Sequence, residues 1–329
     1  MMPSPRLALG AVTAATLGLL VTGCATAAQT VSHTEEAPVT TQDSGFYVNP
    51  DTAAARWVAD NPDDHRAALI EERITNVAQA TWFANYDPST IESEVDALAG
   101  AAQAEGTVPV MVVYNVPGRD CGNHSDGGAP DHQSYRAWVD SFAAGLDGRP
   151  ATIVVEPDAL SLMGSCAGQP PTEVMESISY AASTLKAGSD QARVYLDIGN
   201  SNWHSPERVA ELLHDVDAGT TADGIATNTS NYRTTQDEVA YAEAIISASG
   251  LDLTAIVDTS RNGNGPTHDS EWCDPPGRAL GTPTTTDTGS AVVDAFVWVK
   301  LPGEADGCAG PAGSFIPDIA YELAQNAGG

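Results

Sequence analysis

The chain has 329 residues, with 44 acidic against 14 basic side chains and a net charge of −30. That balance leaves no basic surface for a phosphate backbone or an anionic lipid headgroup, so nucleic acid is excluded as a partner. The excess acid reads as a solvated surface, which makes the placement of the two lysines informative.

From the N-terminus, Arg6 precedes an uncharged apolar run over 7–20 that leads into Val21-Thr22-Gly23-Cys24. A spanning helix needs roughly 20 predominantly apolar residues, and this stretch is shorter and rich in Ala, Gly and Thr. It reads instead as a bacterial export signal with a lipobox. The expectation is a lipoprotein signal peptide at 1–23 and Cys24 as the acylated anchor. The protein is then held on the outer face of the cell membrane by lipid alone; ordinary secretion with Cys24 incidental is the alternative. Residues 24–45, rich in Ala, Thr, Ser and Glu, have little to bury and are expected to form a disordered tether. A single domain over 46–329 follows, about 280 residues, a length ordinary for an α/β barrel. Neither a second composition block nor an internal repeat is visible, and nothing demands more than a monomer.

Within that domain, short apolar β-branched runs at 79–83, 108–115, 151–156, 193–198, 224–228, 254–258 and 295–300 alternate with helical patterns such as 89–105, 131–146, 171–187, 205–216 and 235–249. Nearly continuous apolar strands separated by amphipathic helices predict a parallel sheet covered on both faces. Seven such units in one domain point to a barrel, and no GxGxxG follows the first strand to favour an open doubly wound sheet. Trp57, Trp138 and Trp298 fit core positions. Several predicted strands end in or lead to polar residues: Asn115 then Arg119-Asp120, Glu156-Pro157-Asp158, Asp197, Asn228, Asp258, and Lys300 then Glu304 and Asp306. Barrel enzymes gather their sites at the C-terminal strand ends. Turn and cap propensity explains some of these residues, Asp258 and Asn228 among them, but not an acid in almost every loop.

Besides Cys24 there are four cysteines, Cys121, Cys166, Cys273 and Cys308. In an exported protein they imply two disulfides with three possible connectivities, of which the sequence-local pairing 121–166 and 273–308 is the expected one. Neither a CxxC nor a His/Cys cluster indicates a metal.

The runs VVYNVPGRDCGNHS (112–125), VVEPDAL (154–160), ATNTSNYR (226–233), DTSRNGNGP (258–266), EWCDP (271–275) and VWVKLPGEADGC (297–308) together resemble glycoside hydrolase family 6 along the whole domain. The resemblance implies a distorted seven-stranded parallel β/α barrel and inverting hydrolysis of internal β-1,4-glucosidic bonds without metal or organic cofactor. Inversion needs a protonated carboxyl for the leaving oxygen and a carboxylate to activate water on the opposite face. The resemblance assigns the acid to Asp158, a supporting carboxylate to Asp120, and the base or water-positioner to Asp306. It places sugar-stacking rings at Trp82, Trp203 and Trp272, a ring crowding the scissile sugar at Tyr114, and polar substrate contacts at Arg119, Asp197, Asn231, Lys300 and Glu304. Two positions depart from the family pattern: Asn200 stands where a substrate-contacting histidine is usual, and Asp126 where a loop serine is expected. Endo action is favoured because the domain is too compact for the long loops that roof a processive tunnel. A glucan-binding protein with little turnover and a hydrolase of a non-cellulosic polysaccharide are the alternatives.

Overall fold

The computed structural model describes residues 45–166 and 170–327; the expected export signal, the Cys24 anchor and the tether up to residue 44 lie outside them. Seven strands, β1 (Thr81–Phe83), β2 (Val110–Val113), β3 (Ala151–Val155), β4 (Ala192–Asp197), β5 (Gly224–Thr227), β6 (Thr254–Asp258) and β7 (Val293–Val297), form one sheet in sequential order. Every neighbouring pair is parallel. Helices α1 (Ala53–Asp60), α2 (Ala67–Ile70), α3 (Ile91–Glu105), α4 (His132–Leu146), α5 (Pro171–Gly188), α6 (Pro206–Asp215), α7 (Ala218–Thr221), α8 (Thr235–Ser249) and α9 (Pro317–Asn326) surround it.

The helices start where cap chemistry allows. The Asp131 carboxylate accepts from the Ser134 amide at 2.7 Å to open α4. Ser205 caps α6 with Pro206 in its first turn, and Thr234 exchanges bonds with Asp237 to open α8. Each cap satisfies amides that lack an intrahelical acceptor. Gly106 and Gly250 end α3 and α8 in the left-handed region, where glycine carries no Cβ penalty.

Alternation along the strands divides the core in two. Met111, Val113, Ile153, Val155, Val194, Leu196, Ile225, Ala255 and Val257 face outward into a layer with Val95, Trp138, Phe142, Ile178 and Ile245 from the helices. Val110, Val112, Tyr114, Val154, Tyr195, Ala226, Ile256, Ala295, Val297 and Val299 face inward and pack on one another. Both faces being apolar explains the unbroken hydrophobic runs. Each fully buried large side chain contributes roughly 1.5–3 kcal/mol. Trp138 and Trp298 are fully buried as expected, and Trp57, half-buried, packs beside Trp298 in a third cluster with residues of α1, α2 and α9.

The barrel is distorted at its seam. β1 and β7 meet through one parallel bridge, Gln79 to Trp298, instead of a ladder. The Ala80 amide donates to Trp298 O at 2.9 Å, and the Trp82 indole donates to Val299 O at 2.7 Å. Thr284 joins both sides, donating to Ala78 O at 2.7 Å and accepting from the Trp298 amide at 3.0 Å. The run at 79–83 therefore begins two residues before β1, and the run at 295–300 ends three residues after β7, because those outer residues serve the seam.

Candidate active site

The loops after the strands build one cleft at the C-terminal mouth. One half is lined by Trp82, Tyr114, Asp126, Lys300, Glu304 and Asp306, the other by Asn200, Trp203, Tyr232 and Arg233. Asp120, Asp158, Asn231 and Trp272 line both halves and so occupy its middle.

The β3 loop turns sharply at Glu156-Pro157-Asp158, with φ of 50° at Glu156 and 68° at Asp158. Non-glycine residues hold such angles only when their surroundings over-determine them. Here the Glu156 carboxylate accepts from the Asn115 and Val116 amides at 3.0–3.1 Å, tying the β2 and β3 loops together. Burial pushes Glu156 up to about 7 against the pull of those amides. On the other side the Asp158 amide donates to Asp197 Oδ1 at 2.9 Å, an oxygen that also accepts from Gly199 N at 3.0 Å. Desolvation, then the charges of Asp197, Asp120 and Asp306, hold the Asp158 carboxyl well above the usual carboxylate range. Asp197 is itself raised to about 6, chiefly by burial. The Asp120 carboxylate accepts from the Ser125 amide at 2.7 Å, and its loop is stapled by Cys121–Cys166.

Asp306 sits in the opposite electrostatic setting. Arg261, 1% exposed, donates to its Oδ2 at 2.9 Å. Tyr232 and the Asp274 amide donate to the same oxygen at 3.2 Å, and Lys300 Nζ stands 3.3 Å from Oδ1. Burial alone would raise this carboxyl, but Arg261 and Lys300 outweigh it and hold it below the usual range. Burial lowers Lys300 despite Asp306 beside it, and raises Glu304 to about 7. The odd lysine at a strand end is thus half of a double cationic clamp.

The rings flank these carboxyls. Trp82 meets Tyr114 edge-on at 5.3 Å, while Trp203 and Trp272 are 36% and 50% exposed, as stacking platforms must be. A Cβ on Gly199 would stand 2.7 Å from the Trp203 ring, so glycine lets that indole lie on the backbone. A Cβ on Gly307 would stand 2.5 Å from that of His124, which brings the Asp120 loop against the Asp306 loop. Asp126 is exposed on the rim of the cleft.

Several residues expected here commit part of their side chain to the protein's own backbone. The Arg119 guanidinium lies over the Tyr114 ring at 4.5 Å and donates to the carbonyls of Ala84, Tyr114 and Ser125. Asn200 Oδ1 accepts from the Asn202 amide at 3.0 Å, and Asn231 Nδ2 donates to Thr229 O at 3.2 Å. Asp258 and Asn228 are backbone clips, as their turn propensity implies. Asp258 accepts from the amides of Ser230, Ser260, Val299 and Lys300, and Asn228 donates to Asp258 O and accepts from Arg233 N. Arg261 and Asp274 were missed in the sequence. Their only signal was membership of the DTSRNGNGP and EWCDP runs. The second disulfide, Cys273–Cys308, pairs as expected and takes both sulfurs that lie near His124.

A cleft with a proton-retaining carboxyl facing a clamped carboxylate, between exposed indoles, is a glycosidase arrangement, and the comparisons agree. Residues 41–327 match the family described as "Glycosyl hydrolases family 6". Endoglucanase A of Thermobispora bispora is 52% identical over 322 residues, covering 97% of this chain and 68% of its own length. Endoglucanase 1 of Streptomyces sp. (strain KSM-9) is 49% identical over 294 residues, covering 89% and 82%. The solved endoglucanase Cel6 of Mycobacterium tuberculosis, in complex with methyl-cellobiosyl-4-deoxy-4-thio-β-D-cellobioside, superposes with a TM-score of 0.80 at 41% identity, covering 86% of this chain and 97% of that one. Fold, cleft and sequence therefore converge on one family: this chain belongs to the glycosyl hydrolases of family 6.

Proposed function

We propose that this glycoside hydrolase is an endo-acting β-1,4-glucanase that cleaves internal bonds of cellulose or a related β-glucan with inversion. The observation that carries the reading is the opposed protonation of two carboxyls in one cleft. Asp158, with the charges of Asp197, Asp120 and Asp306 around it and no cation hydrogen-bonded to its carboxyl among the described residues, keeps its proton; Asp306, clamped by Arg261 and Lys300, stays ionised. That is the pairing inversion requires.

In this mechanism Asp158 donates its proton to the leaving glycosidic oxygen as the bond to the anomeric carbon breaks. Water attacks the opposite face, and Asp306 orients it and receives its proton directly or through a water relay. A carboxylate held below its usual range orients water better than it retains a proton, which favours positioning as its larger contribution. Asp120 stabilises positive charge at the anomeric carbon and helps keep Asp158 protonated, and Asp197 acts on Asp158 through its amide and its charge. Trp82, Trp203 and Trp272 stack on apolar sugar faces, Tyr114 crowds the ring at the scissile bond, and Lys300, Glu304, Asn231 and Asn200 bind hydroxyls. Arg119, anchored to carbonyls through Nε and Nη1, supports the Tyr114 ring. The apolar run ending at Cys24 supports export and acylation, with a tethered monomer as the working form. Among the described residues no helix is long and apolar enough to cross a membrane.

The test is reducing-sugar release from carboxymethyl cellulose, with NMR of the fresh product. The expected result is α-anomer that later mutarotates. Folded protein that binds cello-oligosaccharides without releasing sugar would overturn the reading, and so would activity confined to mannan or xylan.

A further inference from the structure

We propose that Asp274 is a positioning residue for Asp306, locking the loop that carries Trp272 to the loop that carries Asp306 so that the two act on substrate as one block. The proposal rests on the role of Asp306 inferred above.

The two aspartates exchange hydrogen bonds reciprocally. Asp274 Oδ1 accepts from the Asp306 amide at 2.7 Å, while the Asp274 amide donates to Asp306 Oδ2 at 3.2 Å. The remaining oxygen, Asp274 Oδ2, accepts from the Cys308 and Ala309 amides at 3.0 and 2.8 Å. One carboxylate therefore gathers three amides of the 306–309 segment in the loop after β7, and its own backbone holds the Asp306 carboxylate oxygen. A carboxylate is suited to this, since only an ionised side chain accepts at both oxygens and hydrogen bonds to charge are the stronger kind. The residue holds φ at 50°, a conformation that Asp and Asn tolerate best among side chains with a Cβ.

The neighbours show why the link matters. Trp272, half exposed in the cleft, is two residues before Asp274, and the adjacent Cys273 is bonded to Cys308. The disulfide joins the same two loops but makes no bond to the Asp306 carboxylate or amide. A sugar stacking on Trp272 thus bears on a segment whose amide bonds set the height and angle of Asp306. Asp306 is faced by Arg261 from the β6 loop, Tyr232 from the β5 loop, Lys300 and Glu304 from its own segment, Asp158 across the cleft and His124 against Gly307. Among the described residues none of these hydrogen-bonds both the backbone amide and the carboxylate of Asp306, whereas Asp274 does.

The experiment compares wild type, Asp274→Asn, Asp274→Ala and Asp306→Asn. Each is assayed for kcat and KM on cellopentaose across pH, with thermal unfolding followed by circular dichroism. Asp274→Asn keeps the left-handed backbone and the shape but replaces one acceptor oxygen with a donor aimed at amides. Its kcat is expected to fall about tenfold, as a small misplacement of a reacting group does. The acidic limb of kcat/KM should move to higher pH, because a displaced Asp274 amide no longer favours ionised Asp306. The alanine variant should show both changes more strongly. A folded Asp274→Asn enzyme with wild-type kcat and an unmoved acidic limb overturns the proposal, showing that the disulfide suffices. A fall in kcat with an unmoved limb overturns it too, since loss of fold integrity alone gives that pattern. If Asp306→Asn keeps wild-type turnover, it is the role of Asp306 that fails, and the two failures are told apart.

Discussion

The two walls of the cleft use opposite solutions to burying a carboxylate. On the β3 and β4 side, desolvation and neighbouring acids favour the protonated form of Asp158, while burial raises Asp197 against the pull of the Asp158 and Gly199 amides that donate to it. On the β6 and β7 side, Asp306 is also buried but held by Arg261 and Lys300, so its ionised form wins. Burial is the largest influence on both Asp158 and Asp306, and the presence or absence of a cation decides the sign. In the proposed mechanism one residue type thereby serves as proton donor on one wall and water-directing anion on the other.

The largest effect expected from breaking this contrast is on turnover. Asp158→Asn removes the proposed proton donor, and kcat on carboxymethyl cellulose should fall about 10³-fold. With an aryl cellobioside whose leaving group needs no proton, most of that loss should be recovered. Asp306→Asn should lose activity on both substrates alike, because water attack is common to them. Equal rescue of the two variants would mean the walls are not specialised as described.

Next in size is the cost of removing the cation that sets the sign. Arg261→Ala leaves the Asp306 charge buried with Lys300 as its remaining cation, and breaking such a pair costs about 3 kcal/mol or more. Asp306 is depressed in the folded state, so it stabilises above its unfolded value near 4 and that contribution is lost as pH falls through the folded value. Urea unfolding at neutral pH should show the full loss, and the difference from wild type should shrink in acid. A loss independent of pH would indicate packing around Tyr232 instead of charge.

How far these features were legible in the sequence follows from how local they are. The apolar runs and their helices were readable because each strand is buried on both faces. The ends of β1 and β7 were not, since Gln79 and Trp298 are diverted to a seam that depends on Thr284 between them. The candidate acid and base stood at strand ends in recognisable motifs. Arg261 did not stand out because a charged residue just after a strand ordinarily reads as solvated, and its burial arises only when the β5, β6 and β7 loops converge. Arg119 shows the converse: it lies in a site motif, yet its Nε and Nη1 donate to carbonyls of its own and the preceding loop.

A smaller effect is expected where the walls share a residue. Trp272 borders both halves of the cleft and is 50% exposed. Replacing it with Ala should raise KM about tenfold while unfolding stability stays within about 0.5 kcal/mol. If kcat falls instead of KM rising, the ring contributes mainly at the transition state.

The smallest effect, and the sharpest test of the acid wall, is a shift in pH dependence. Asp158 must be protonated to act, and after desolvation the charge of Asp197 is the first influence holding its proton in place. Asp197→Asn removes that charge while leaving an amide oxygen able to accept from Asp158 N. The Asp158 carboxyl should then ionise more readily, so the alkaline limb of kcat/KM should move to lower pH by less than about one unit. The acidic limb, governed by Asp306 on the other wall, should stay where it is. Stability should respond in the matching direction. A carboxyl raised to about 6 by burial stabilises the fold while protonated, fully so below the unfolded value near 4, and that contribution is lost as pH rises through 6. The asparagine variant lacks this dependence, so its unfolding midpoint should vary less than wild type across that window. An alkaline limb that does not move would mean desolvation alone keeps the proton on Asp158, and that the acid cluster acts only as scaffold.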